Sequence, residues 1–519
     1  MAGAEPARRG RHEHGRLGHV RPPRRGLSPG FARRATRVRQ TLDTALVPWC
    51  TSSTIHQGKG AQVAFAHRSL SALGLALLAA TASAAPPTTA CRVAGISTEV
   101  QCGAVTRPLD PAEPGGKQIE VHYLVVPALA RNKLPDPVLF LAGGPGQSAI
   151  KLASKVLPRL ARLNNRRDLV FVDQRGTGAS APLECPDDDA RSVTLADSLD
   201  MERQYGRLEQ CRTKLEALPY GDLRQFTTTI AMQDVDAVRA ALGAERWNLV
   251  GGSYGTRAAL EYLRQFPQHV RRTVIDGVAP PDMVLPASMT LDAQAALDAV
   301  FKACAADKAC AARYPRLEAD WQALLARLPL RVTVADPRSG VPQSVVIEQA
   351  ALLSLVRAPL YAPALAAGLP AAIDAAAAHG RFEGLLGLGS GLGGGDKDLA
   401  LAMGMHYAVI CAEDVPRLDA AAVAASPMAA HYARVCKTWP RGAPPADFYR
   451  IPRATTPVLL LSGGADPVTP PRHAERVAAA LGPLAQHVVV PQSGHGVMGI
   501  ACMSDVLYRF INTAEDAQA

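Results

Sequence analysis

The sequence predicts an α/β fold: a mostly parallel central sheet flanked by helices, with a mainly helical segment inserted before its last strands. Three observations carry this expectation. Short, mostly apolar runs recur at Pro137–Leu141, Leu169–Val172, Trp247–Val250, Val274–Ile275, Pro457–Leu461 and Val488–Val490. They have the length and composition of strands buried on both faces, as in a parallel sheet. Each run ends in a loop carrying glycine, aspartate or serine, where an open α/β sheet places its functional groups. The stretch between, about 283–450, is alanine-rich and lacks such runs at the same density. The expected layout is a leader over 1–84, core over 85–282, helical cap over 283–450 and a second part of the core over 451–519.

The leader has two parts. Residues 1–60 are rich in Arg, Pro and Gly and read as disordered. His67-Arg68 then precedes an apolar run from Leu70 to Ala80, followed by Ala82-Ser83-Ala84. Charge, short apolar core and an A-x-A site form a secretory signal, with cleavage expected after Ala84. The run falls short of the roughly 20 residues a spanning helix needs. The late position of this signal is read either as a start codon downstream of Met1, such as Val63, or as a long n-region. The formal charge of +10 belongs entirely to the leader: it holds 13 of the 56 Lys+Arg and 3 of the 46 Asp+Glu, leaving 43 of each in residues 85–519. No basic surface is therefore expected for nucleic acid.

Cysteine usage agrees with export. Nine of the ten cysteines lie beyond the leader, and an oxidising compartment is expected. Proximity suggests pairs 91–102, 185–211, 304–310 and 411–436, with Cys502 left over, although sequence does not fix connectivity. No C-x-x-C occurs, which disfavours zinc. Thr88-Thr89-Ala90 lacks the leucine a lipoprotein signal carries, so a lipid-anchored form at Cys91 is the lesser reading.

The chemistry-bearing segments follow in chain order. Pro137–Leu141 runs into Ala142-Gly143-Gly144-Pro145-Gly146. Glycines there permit close approach of backbone to a substrate. Pro145 has no N–H, so Gly144 is the expected oxyanion donor. A phosphate-binding loop is excluded because no Gly-Lys-Ser/Thr follows. The strand at Leu169–Val172 ends in Asp173-Gln174-Arg175-Gly176, a polar turn in which an Asp173–Arg175 salt bridge is the simplest expectation.

Residues 247–257 then read strand, Gly251-Gly252-Ser253-Tyr254-Gly255, helix. This is a G-x-S-x-G in the strand-to-helix context of a nucleophile elbow. Ser253 is the candidate nucleophile, and the Tyr254 N–H the second oxyanion donor. Two later strands end in Gly463-Gly464-Ala465-Asp466 and Ser493-Gly494-His495-Gly496. Serine, acid, histidine is the chain order this arrangement requires. His495 is the candidate general base, and Asp466 would orient its ring. Asp276, closing the run at Val274–Ile275, is the second candidate acid.

Together, Gly-Gly-Pro-Gly, Asp-Gln-Arg-Gly-x-Gly-x-Ser and Gly-Gly-Ser-Tyr-Gly resemble the proline iminopeptidase group of α/β-hydrolase serine peptidases. Cys411, Cys436-x-x-x-Pro440, Gly464-x-Asp466-x-x-Thr469-Pro470, Gly494-His495 and Cys502 resemble its secreted tripeptidyl-aminopeptidase-like branch. The resemblance runs from about Cys102 to Phe510. It implies Ser253, Asp466 and His495 as a catalytic triad, Gly144 and Tyr254 as oxyanion donors, and Asp173 and Arg175 as supports beneath the site. It implies an exported aminopeptidase that releases N-terminal residues through an acyl-enzyme, without cofactor or metal. Ala142 stands where the small proline iminopeptidases carry histidine, which argues against strict proline specificity.

An aminopeptidase must recognise a charged amine, and Glu413 and Asp414 beside Cys411 are the candidates to face it. A carboxylesterase on the same scaffold and a non-catalytic binding protein are the alternatives. Neither oligomeric state nor the number of residues released is legible.

Overall fold

The computed structural model describes residues 88–185, 194–337, 339–390, 400–500 and 502–514. The expected leader and signal peptide lie outside these residues. Nine strands form one sheet in the order β1-β2-β3-β5-β4-β6-β7-β10-β11. They span Thr89–Cys91, Val100–Pro108, Gln118–Val126, Val138–Leu141, Leu169–Val172, Trp247–Gly252, Val270–Asp276, Val458–Gly463 and Ala485–Val490 for β1 to β7, β10 and β11 in chain order. From β5 to β11 every neighbouring pair is parallel; β1, β2 and β3 add an antiparallel edge.

All six expected strands are present. Those at the centre of the sheet are apolar on both faces because helices cover both. Leu139, Leu249, Ile275 and Leu460 face one core, and Val138, Phe140, Val250, Val274 and Leu461 face the other. The antiparallel edge was not legible as a buried run. β2 reads Val-Gln-Cys-Gly-Ala-Val-Thr-Arg-Pro and is mostly half-buried, as suits a strand near an edge.

The described residues of 283–450 are mainly helical, but β8 (Leu330–Ala335) and β9 (Pro342–Ile347) form an antiparallel hairpin. Part of this stretch packs, with Leu195 and Leu199, around a separate core in which Trp321, Leu324, Ile347, Leu352, Leu369 and Phe382 are buried, while Met405, Tyr407 and Trp439 join the core under the main sheet. The cap's glycine-rich stretch is helical over Glu383–Ser390; residues 391–399 lie outside the described part.

Four disulfides join Cys91–Cys102, Cys185–Cys211, Cys304–Cys310 and Cys411–Cys436. The expectation of an unpaired Cys502 is corrected: it is also disulfide-bonded, and no described cysteine is free. The odd count covered residues 85–519 alone, whereas the full sequence holds ten cysteines. Among the described residues no helix is long and apolar enough to cross a membrane.

Candidate active site

The sheet brings the expected residues to one rim. β4 and β6 are parallel neighbours although β5 intervenes in sequence, so strand order reverses between them. The loop after each opens into the crevice such a reversal creates. Leu141 pairs with Gly251, Gly252 with Asp276, Asp276 with Leu461, and Gly463 with Val490. The carboxyl ends of β4, β6, β7, β10 and β11 are thereby level, and Gly143–Gly146, Ser253, Asp276, Asp466 and His495 leave the sheet side by side.

Ser253 sits at φ 54° and ψ −123°, between β6 and the helix Tyr254–Gln265. A non-glycine residue in this region carries about 1–3 kcal/mol of strain, which only a well-packed surrounding sustains. The two flanking glycines explain how. A Cβ on Gly251 would lie 2.4 Å from the Gly255 carbonyl oxygen, and one on Gly255 would lie 2.1 Å from that of Leu141. Any side chain at either position would push the turn off the sheet. The Ser253 N–H donates to the Asp276 carbonyl at 2.9 Å. On the other side, the Ser253 Cβ lies 3.3 Å from where a Cβ on Gly143 would stand, so the Gly143–Gly146 loop passes directly over the serine.

His495 and Asp466 meet. His495 Nδ1 and Asp466 Oδ2 are 2.8 Å apart. The other carboxylate oxygen accepts the Val468 and Thr469 N–H groups at 2.8 and 2.9 Å, and Thr469 Oγ1 donates to Oδ2. Burial pushes the Asp466 carboxyl up, but the imidazole and these donors together hold it below the usual carboxylate range. Burial likewise lowers His495, yet the Asp466 charge outweighs it and the ring is held above its ordinary value. An acid fixed as its anion, orienting a histidine of raised basicity, is what a general base requires.

Asp276 does not approach His495 as a hydrogen-bond partner. Its Oδ2 instead accepts the Val497 and Met498 N–H groups, both at 2.7 Å. Of the two candidate acids, the geometry selects Asp466.

A family model for the alpha/beta hydrolase fold matches residues 136–499. The chain belongs to the alpha/beta hydrolase fold family. It is similar to the tripeptidyl aminopeptidase of Streptomyces coelicolor, 34% identical over 199 residues. It is also similar to serine protease Hip1 and to carboxylesterase B of Mycobacterium tuberculosis, 32% identical over 190 residues and 30% over 194. Each match covers 35% of this chain and 36% of the relative, so the matched part spans about a third of the length of those proteins.

Two expectations for this alpha/beta hydrolase are corrected. Glu413 and Asp414 do not face a pocket. Both are fully buried, at 0% exposure, and each oxygen is engaged inside the protein. Glu413 accepts the Thr228 N–H at 2.7 Å and its hydroxyl at 3.0 Å, and lies 3.4 Å from Arg257 Nη1. Asp414 takes both arms of the Arg257 guanidinium, at 2.9 and 3.1 Å, and the Leu285 N–H. One cation on the nucleophile's own helix is shared between two carboxylates, a buried node rather than an amine site. Nor does Asp173 pair with Arg175. Asp173 accepts the Ser148 hydroxyl and the Ile150 N–H, whereas Arg175 forks onto Asp234 at 2.7 and 3.0 Å. Both side chains are buried.

Two cap residues escaped the sequence reading. The Tyr361 carbonyl accepts the His495 N–H at 3.0 Å, and its ring meets the imidazole edge-on at 5.2 Å. His406, fully inside the protein, is 3.1 Å from the Pro145 carbonyl through Nδ1 and 2.8 Å from the Tyr432 hydroxyl through Nε2. Burial lowers its pKa to about 4, so the ring is neutral and can donate one proton to the Pro145 carbonyl. A contact made by a backbone carbonyl leaves no mark in sequence, and a lone histidine in an alanine-rich helix reads as core.

Proposed function

We propose that the chain is an exported serine aminopeptidase that releases short N-terminal pieces of peptides through an acyl-enzyme. The observation that carries this reading is the strained Ser253 elbow at the same sheet rim as the Asp466–His495 pair. His495 takes the Ser253 hydroxyl proton as Oγ attacks the scissile carbonyl. The Tyr254 and Gly144 N–H groups receive the developing oxyanion; neither donates to a backbone carbonyl among the described residues. The proton passes to the leaving amine, and water, activated by the same histidine, releases the acyl group. The peptidase preference is supported by the tripeptidyl aminopeptidase and Hip1 relatives. Export is supported by the disulfides and by the charge, apolar run and A-x-A of the leader.

A carboxylesterase is the second reading, favoured by the carboxylesterase B relative. One panel separates them: chromogenic Pro, Ala and tripeptidyl amides with free and blocked N-termini, beside p-nitrophenyl acetate. Cleavage of the free-amine amides is expected. Turnover of the ester alone establishes the esterase. No turnover, with no labelling of Ser253 by a fluorophosphonate, overturns both.

A further inference from the structure

Asp276 is bonded to both halves of the proposed machinery. Its carbonyl holds the Ser253 N–H, and its Oδ2 holds the N–H groups of the second and third residues after His495. β7, which it terminates, lies between the strands that lead to the serine and to the acid. The side chain is 2% exposed, and its Oδ1 has no hydrogen-bond partner among the described residues.

A latch on two N–H groups does not need a charge. An asparagine oxygen accepts two such bonds as well, without the cost of burying a carboxylate. The protein instead keeps a carboxyl whose pKa burial raises to about 6. The backbone just past it abuts the imidazole, where a Cβ on Gly277 would lie 3.1 Å from His495 Cε1, and this places a carboxyl at 276 to serve a second use. The groups that bear on His495 are Asp466 from the loop after β10, Asp276 from β7, and from the cap Tyr361, whose hydroxyl accepts from Arg357. The two aspartates are the anions among them.

Building on the serine hydrolase reading, we infer that Asp276 is a positioning residue with two tasks. It locks the His495 loop in register with Ser253, and it sets a second negative charge beside the imidazole that favours the protonated ring formed during proton transfer. Asp466 orients the ring through a hydrogen bond; Asp276 acts on it through the loop and through space.

Two variants divide the tasks. Asp276→Asn retains the acceptor and removes the charge. Amide exchange at Val497 and Met498 should stay slow, and the His495 titration followed by NMR, assigned with His495→Gln, should move down by about one pH unit. The acid limb of kcat/KM should move the same way, with a fall of about tenfold in kcat at its plateau. Asp276→Ala should speed exchange at both amides and lower kcat by about a hundredfold, with KM little changed. Unmoved His495 titration in Asp276→Asn overturns the electrostatic task. Slow exchange retained in Asp276→Ala overturns the latch, and if that variant does not fold, fast exchange at both amides in Asp276→Asn, which keeps the acceptor, does the same. The NMR and exchange readouts do not require turnover, so an inactive parent would defeat the functional reading while leaving this test intact.

Discussion

Asp466 and Glu413 are two buried carboxylates, each within reach of a cationic or cation-forming partner, and they end at opposite extremes. Burial drives both upward. Asp466 nevertheless lies below the usual carboxylate range, whereas Glu413 rises to about 7. The difference lies in how the partners are divided. Asp466 has His495, two N–H groups and a hydroxyl to itself. Glu413 has the Thr228 donors but must share Arg257 with Asp414, which takes the better geometry. A carboxylate is kept charged by undivided donors, and the rim can use such a charge while the node under the cap cannot.

The largest effect should come from breaking the rim. Asp466→Asn removes the charge and offers the wrong group to Nδ1; kcat should fall by about 10⁴-fold, measured on the best substrate of the panel, with the thermal midpoint nearly unchanged. If activity instead falls less than tenfold, the comparison assigns the wrong acid. Next in size is Arg257→Met, which leaves two buried carboxylates without their cation. Loss of about 3–5 kcal/mol is expected in urea unfolding at pH 8, with less loss at pH 5, where Glu413 carries its proton.

Glu413→Gln sharpens the contrast through pH. In the fold Glu413 keeps its proton up to about pH 7, whereas the unfolded chain releases it near the ordinary value of 4.5. Stability from this group is therefore full below about 4.5 and declines as pH rises to about 7. Across that window the parent should lose about 2–3 kcal/mol relative to Glu413→Gln, while both turn over substrate alike. Asp466 has the opposite sign, its contribution being lost as pH falls through its lowered value. The smallest effect belongs to Tyr361→Phe. The carbonyl that holds the His495 N–H is untouched, so kcat/KM should stay within about twofold; a tenfold loss would mean that the hydroxyl bonded to Arg357 matters to the histidine.

The sequence exposed the rim far better than the node. Ser253, Asp466 and His495 stand in glycine-bearing loops at strand ends, and in a parallel sheet those ends are neighbours, so motif and topology together locate them. The antiparallel edge was hidden because β2 has no continuous apolar run, and the cap hairpin because its strands alternate. Glu413 and Asp414 misled for a different reason. Two acids in a row look like a surface or a binding site until a cation is found for them, and Arg257 lies 156 and 157 residues away along the chain. The role of Asp276 was obscured likewise, since its partners are main-chain N–H groups that any residue would supply.

The uphill backbone of Ser253 exists only while β4, β6 and β7 hold it from three sides. A chain whose sheet has begun to melt carries an ordinary relaxed serine. On the proposed function, reactivity of Ser253 is thus conditional on assembly of the sheet. Titration with a fluorophosphonate consequently counts native molecules one by one.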